Sequence, residues 1–307
     1  MFFEDGVYTV MVTPFTEENK IDYKSYQNLL EKQINNKGVQ GIILMGTTSE
    51  SPTLTEDEKV ELVHFTHTFV ENQKKIILGI GGNNTDEVIR FGNFCKEYCD
   101  GMMVTVPNYN KPTQEGIYRH FTRICKEFVE IPIIMYNIPS RCGVNMTADT
   151  VARIYNDNSN VEAIKEASGS IDQAVQIASR CDIKIFSGDD GLILPLMSVG
   201  GRGVISVASN VIPDVINQIV QCCLDNDFKR GMEIYYKVQD FLKKLFIETN
   251  PVPVKTLMAT LEMIENGECR MPLCEMEEEN KTSLIESYKN MLISFTEGKE
   301  VEEVVSL

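Results

Sequence analysis

What most limits the fold of this chain is an alternation. Eight short apolar runs are each followed by a stretch whose apolar residues recur at helical spacing. The runs are Val7–Val12, Gly41–Met45, Lys75–Ile80, Gly101–Val106, Ile131–Asn137, Val161–Lys165, Ile183–Ser187 and Gly203–Val207. The helical stretches are Asp22–Lys37, Glu56–Glu71, Asp86–Tyr98, Gln114–Val129, Ala148–Asn156, Ile171–Ser179, Leu192–Val199 and Val211–Asp225. Strands that read as continuous apolar runs are buried on both faces, as in a parallel sheet covered by helices. Eight such units predict a (β/α)8 barrel. A doubly wound sheet shares the alternation, but its glycine fingerprint is missing. Gly79-Ile80-Gly81-Gly82-Asn83-Asn84 lacks the third glycine and follows the third strand, so it reads as room for a tight turn. Thr55, Thr85, Thr113, Thr147 and Ser170 stand where helix N-caps are wanted.

After Asp225 the strand signal stops and three helical stretches follow, Phe228–Phe246, Pro253–Asn266 and Lys281–Glu297. Residues 1–225 are therefore expected to form the catalytic barrel and 226–307 a helical appendage. Within the appendage the acidic run Glu275–Glu279 reads as a solvated linker. The charged tail Glu297–Leu307 is expected to fray.

Composition excludes several function classes. With 29 basic against 45 acidic residues, the formal charge of −16 disfavours nucleic acid and anionic membranes as partners. No apolar run reaches the roughly 18 residues of a membrane span, and no basic, apolar leader opens the chain. A cytoplasmic protein is expected. The nine cysteines are scattered and odd in number. His64, His67 and His120 form no HxxxH or HExxH pair. Reduced thiols are expected, with neither disulfides nor a metal site.

Barrel enzymes carry their chemistry at the C-terminal ends of the strands. Strand six ends in Lys165, which is unusual for a buried strand. Desolvation disfavours its ammonium and frees an amine that can attack a carbonyl. The plainer alternative is a lysine that snorkels outward and pairs with Glu166. A neutral lysine condenses with a ketone, and the iminium, by losing a proton, becomes an enamine that attacks an aldehyde. Tyr136, ending strand five, is the candidate proton shuttle, unless it is an ordinary core tyrosine. Thr47 and Thr48 can present hydroxyls and backbone N–H groups to a carboxylate, or only shape the loop, with Glu50 capping the next helix. Arg141 offers a bidentate grip on a second carboxylate, or a surface ion pair. Asp189 and Asp190 after strand seven disfavour a phosphate substrate. As sequence neighbours they point apart and do not form a catalytic pair. Gly200-Gly201-Arg202-Gly203 lies on the opposite face of the barrel.

Five segments together resemble the dihydrodipicolinate synthase (4-hydroxy-tetrahydrodipicolinate synthase) family: GTTSES at Gly46–Ser51, YNIPSRCGVNM at Tyr136–Met146, VEAIKEASGS at Val161–Ser170, FSGDD at Phe186–Asp190 and GVISVASN at Gly203–Asn210. That family joins pyruvate to aspartate semialdehyde in lysine and diaminopimelate biosynthesis. The resemblance implies a Schiff base between pyruvate and Lys165, with no other cofactor. It makes Tyr136 the proton-relaying tyrosine, with Thr47 and Tyr109 as further relay members. Thr48 resembles the pyruvate-carboxylate binder and Arg141 the clamp on the semialdehyde carboxylate. Gly188 and Ile205 match positions lining the lysine pocket. Ser49 stands where glycine is usual, and Cys142 where threonine is common, which puts loop geometry in question. The resemblance further implies a homotetramer or homodimer in which Tyr109 reaches a partner's site.

Two other functions compete: another pyruvate-dependent aldolase, acting on N-acetylneuraminate or a keto-deoxy sugar acid, and a non-catalytic keto-acid sensor. The former generally lack an arginine at the Arg141 position, and the latter has no need of a nucleophilic amine. Many family members bind lysine as a feedback inhibitor. Here Glu56, Lys59 and Asn108 replace two histidines and a tyrosine, although Ser51, Asn83 and Glu87 match, so weak or absent inhibition is expected.

Overall fold

The computed structural model describes residues 2–296, so the tail expected to fray lies outside the described residues. Eight parallel strands close into a barrel in sequence order. They are β1 Gly6–Val10, β2 Val39–Leu44, β3 Lys75–Ile80, β4 Gly101–Thr105, β5 Ile133–Asn137, β6 Val161–Glu166, β7 Lys184–Ser187 and β8 Gly203–Ser206. The helices around and beyond them are α1 Tyr23–Asn35, α2 Glu56–Val70, α3 Thr85–Cys95, α4 Gln114–Glu127, the single turn α5 Pro139–Cys142, α6 Ala148–Asp157, α7 Ile171–Ala178, α8 Ile193–Ser198, α9 Pro213–Leu224, α10 Phe228–Lys244, α11 Val252–Thr260 and α12 Glu278–Thr296.

The expected barrel is present, because β1 and β8 are buried along their whole length and the other strands nearly so. Closure depends on close backbone approach. A Cβ on Gly203, at φ +149°, would run into the backbone of Gly6 where β8 meets β1. A Cβ on Gly79 would lie 2.8 Å from the carbonyl oxygens of Leu44 and Met45, where β3 passes β2. The first glycine of the cluster thus serves strand packing as well as the turn.

Most caps fall where expected, and α2 carries a full capping box between Thr55 and Glu58. One differs. Asn84, not Thr85, caps α3, because the Thr85 hydroxyl is engaged with His120 Nδ1 at 2.9 Å. The acidic run is not a free linker either. Met276 is buried, Glu277 N–H donates to Glu248, and Glu278 and Glu279 open α12, where carboxylates suit the positive helix end. The helix expected over Pro253–Asn266 stops at Thr260, and Glu262 turns the chain at φ +55°.

The C-terminal helices pack closely on the barrel. α10 buries Tyr235, Val238, Phe241 and Leu242 between α9 and α12. Full burial of one such apolar side chain is worth about 1.5–3 kcal/mol. Among the described residues, no helix is long and apolar enough to cross a membrane.

Candidate active site

Parallel pairing of β5 with β6 sets Tyr136 directly beside Lys165. Lys165 is 5% exposed, and its Nζ lies 4.3 Å from the centroid of the Tyr136 ring. Among the described residues, no carboxylate forms an ion pair with it. The alternative partner, Glu166, is the next residue along the strand and so faces the other way. It accepts hydrogen bonds from Asn137 Nδ2, Ser168 N–H and Gln173 Nε2 instead. Burial pushes the Lys165 ammonium down to about 7; Asp190 pulls it back up, and Arg141 adds to the depression. Asp190 is itself raised by burial to about 6, and its oxygens are occupied by the Ser206 hydroxyl and the N–H groups of Val207 and Ala208. Burial also raises the Tyr136 phenol, while Arg141 and Thr47 act in the opposite direction.

Lys165 needs space as well as desolvation. A Cβ on Gly188 would sit 2.6 Å from the Cβ of Ala167 and 3.1 Å from Cε of Lys165. The bare backbone of Gly188 leaves that volume to the lysine stem.

The lysine opens into a cavity of about 610 Å³ at the C-terminal end of the barrel. Of the eight residues singled out in the sequence, Thr47, Thr48, Tyr136, Arg141, Lys165 and Gly188 line it. Ile205 is buried in β8 but does not line the cavity, and Tyr109 stands away from it, 86% exposed and at φ +64°. Ser140 and Asp189, which follow β5 and β7 as the sequence reading placed them, also line it, whereas one part of the wall was not visible in the sequence. Tyr235, Gln239 and Lys243 come from α10, and Asn250 from the turn before α11. The Tyr235 hydroxyl donates to the Gly191 carbonyl at 2.5 Å. Only Asn250 carried a local signal, since an Asn-Pro pair marks a turn.

The loop after β2 is held from several sides. Thr48 is buried, and its Oγ1 accepts from Asn250 Nδ2 at 3.0 Å. The Asn250 carbonyl accepts from Arg141 Nη2 at 3.2 Å. Glu50 caps no helix. It accepts from Lys255 Nζ at 2.7 Å and from Arg270 N–H at 2.8 Å. The two departures fit without distortion. Ser49 is not at positive φ, and its hydroxyl donates to the Met11 carbonyl at 2.8 Å. The Cys142 thiol donates to the Val106 carbonyl at 3.0 Å. Asp189 shares no partner with Asp190 among these bonds and accepts from Gly191 N–H. Among the described residues, no three His, Cys, Asp or Glu side chains gather as a metal site would require.

Residues 4–291 match the model of the dihydrodipicolinate synthetase family. The chain belongs to that family. A 4-hydroxy-tetrahydrodipicolinate synthase of Endomicrobium trichonymphae is 45% identical over 93% of this chain and 97% of its own length. The structure of the 4-hydroxy-tetrahydrodipicolinate synthase of Methylacidiphilum fumariolicum SolV superposes with a TM-score of 0.93 at 39% identity, covering 98% of this chain and 99% of that one. A dihydrodipicolinate synthase of Cyanidioschyzon merolae, solved with lysine bound, gives 0.90 at 34% identity, over 94% of this chain and 98% of that one. The dihydrodipicolinate synthetase match runs through α11 and most of α12. The cavity wall from α10 and Asn250 therefore belongs to the family's shared fold.

Proposed function

We propose that this chain condenses pyruvate with L-aspartate 4-semialdehyde to give 4-hydroxy-tetrahydrodipicolinate, in diaminopimelate and lysine biosynthesis in the cytoplasm. The observation that carries the reading is Lys165, a buried amine without an ion-pair partner among the described residues, beside Tyr136 in a cavity that also presents Thr48 and Arg141. Burial lowers its pKa to about 7, so that neutral Lys165 is present at neutral pH and can attack C2 of pyruvate. Loss of water gives the protonated imine, and loss of a C3 proton gives the enamine. The enamine carbon attacks the aldehyde carbon of the semialdehyde, whose oxygen takes up a proton. The semialdehyde amine then attacks the imine carbon and closes the ring, and Lys165 leaves as the free amine.

Tyr136 is suited to carry the protons, with Thr47 next to it and Tyr109 of the partner subunit as the third member. Thr48 binds the pyruvate carboxylate and Arg141 the semialdehyde carboxylate. Gly188 makes room for the lysine, and Ile205 backs the pocket from β8. The arginine on the cavity wall favours a semialdehyde acid over the sugar-acid substrates of related aldolases.

We take the working form to be a homodimer or homotetramer. The support is Tyr109, a large side chain fully presented to solvent on a strained backbone, outside its own chain's cavity. Mixing Tyr109→Phe with Lys165→Ala subunits should then restore part of the activity that each variant lacks. No recovery after subunit exchange would assign Tyr109 no role across an interface. We take the barrel segment 1–225 and the C-terminal segment 226–307 to act as one unit, since described residues of both line the cavity. The activity is tested by a coupled assay with pyruvate and the semialdehyde, together with borohydride trapping of pyruvate and mass mapping of the adduct. A trapped adduct on another lysine, or none, would overturn the reading.

A further inference from the structure

Asn250 joins the two residues proposed to hold the substrates' carboxylates. Its side-chain Nδ2 donates to Thr48 Oγ1 at 3.0 Å, and its backbone carbonyl accepts from Arg141 Nη2 at 3.2 Å. It is 7% exposed and lines the same cavity. Among the described residues, its buried Oδ1 has no hydrogen-bond partner. A buried amide normally satisfies both ends. Here one end is left unpaired while the other is spent on a single threonine hydroxyl, so the orientation of the amide is what matters.

The consequence follows from donor and acceptor capacity. A hydroxyl has one proton to donate and two lone pairs. With a lone pair of Thr48 engaged by the Asn250 amide, its proton stays free to be donated elsewhere, and accepting a bond makes it a stronger donor. A carboxylate is acceptor-only, so a threonine whose proton is free is the form that can bind it.

We infer that Asn250 is a positioning residue for the condensation, one that orients the Thr48 hydroxyl as a donor to the pyruvate carboxylate and steadies Arg141 for the second carboxylate. The inference rests on the carboxylate-binding roles given above to Thr48 and Arg141. It enlists a residue beyond the barrel as part of the substrate grip.

Asn250→Asp is the discriminating variant. It keeps the shape but replaces the donor by an acceptor that captures the Thr48 proton. In the full-length enzyme, borohydride trapping is titrated with pyruvate, and KM and kcat are measured for both substrates. The half-saturating pyruvate concentration should rise at least tenfold in Asn250→Asp, while the limiting extent of trapping on Lys165 stays near that of the unmodified enzyme. Thr48→Val should give a similar defect. Adding Asn250→Ala to Thr48→Val should raise it little further, whereas Asn250→Ala alone raises it clearly. Asn250→Ser, with melting temperature recorded alongside, covers a variant that fails to fold. A retained KM for pyruvate in Asn250→Asp would mean that the amide faces Thr48 with its oxygen, and would overturn the inference. So would fully additive Thr48→Val and Asn250→Ala defects, or a loss confined to kcat. If the unmodified enzyme traps no pyruvate on Lys165, the functional reading fails instead, which is a separate result.

Discussion

Among the described residues two lysines are buried, Lys165 at the end of β6 and Lys255 in α11, and they differ in what meets the ammonium. Lys255 is 0% exposed and faces Glu50 at 2.7 Å and the Glu268 carbonyl at 2.5 Å. Lys165 has an aromatic ring for a neighbour and no ion pair, and the acid in its surroundings, Asp190, is committed to Ser206 and two backbone N–H groups. Burial alone therefore does not make a lysine reactive. A buried ammonium that faces a carboxylate is tied into an ion pair and holds two segments of the fold together. One denied a partner gives up its proton and becomes a nucleophile.

The comparison breaks first at Lys165. Lys165→Ala should lower turnover by at least about 10³-fold and abolish the trapped adduct, with the fold intact by circular dichroism. An adduct that survived and mapped to Lys255 would invert the assignment of the two residues.

Lys255→Met should act on the other side of the comparison. It strands Glu50 in the interior, and breaking a buried pair costs roughly 3–5 kcal/mol of stability, read from urea unfolding. Adding Glu50→Gln should recover a good part of that loss. Both variants should still trap pyruvate on Lys165 wherever they remain folded. A Lys255→Met protein as stable as the parent would remove the structural role.

A smaller effect sharpens the contrast through pH. The Lys165 amine has a pKa of about 7 in the folded chain against 10.5 unperturbed. Imine formation should rise about tenfold per unit as pH climbs toward 7 and level off above it, since the neutral amine is the reacting form. The sign for stability follows from the same shift. Between pH 7 and 10.5 the unfolded chain holds a proton on Lys165 that the folded chain lacks, so this group makes stability rise with pH across that window. A trapping rate that kept climbing toward pH 10 would show that Lys165 is not depressed.

The barrel and the pair Lys165–Tyr136 were legible in the sequence because each depends on local pattern. A continuous apolar strand announces burial on both faces, and adjacent strands with polar ends announce a shared rim. Asn250, Tyr235 and Gln239 were not legible, because they reach the cavity only through the docking of α10 and the turn before α11 onto the barrel. The Glu50–Lys255 pair was missed for the same reason: its partners are 205 residues apart. A reading by spacing saw Glu50 only as a nearby cap. It also could not tell which way Glu166 would turn until the strand's ends were known. Tyr109 is the converse case, a residue suggested by resemblance that stands exposed and does not line its own chain's cavity.

The smallest expected effect concerns a third lysine, Lys59, which lies half-buried over the Phe91 ring in a second cavity of about 210 Å³ with Ser51, Glu56, Asn83, Glu87 and Arg90. Burial lowers its pKa and Glu56 raises it, but Glu56 is already held by both Nη atoms of Arg90, at 2.5 and 2.7 Å. Free lysine brings two ammonium groups and one carboxylate. Its amines would enter a space lined by two cations, with Glu87 the remaining acid on the wall. Like charges about 4 Å apart near a protein surface repel by about 4 kcal/mol, enough to cancel millimolar binding. Millimolar lysine should therefore leave the rate of condensation unchanged, as measured in the coupled assay across a lysine titration. Lys59→Ala tests the cause. If inhibition emerges only in that variant, the Lys59 charge is the barrier. If the parent enzyme is already strongly inhibited, Ser51, Asn83 and Glu87 suffice to hold the ligand beside Lys59 and Arg90, and Glu87 then meets an ammonium as Glu50 meets Lys255.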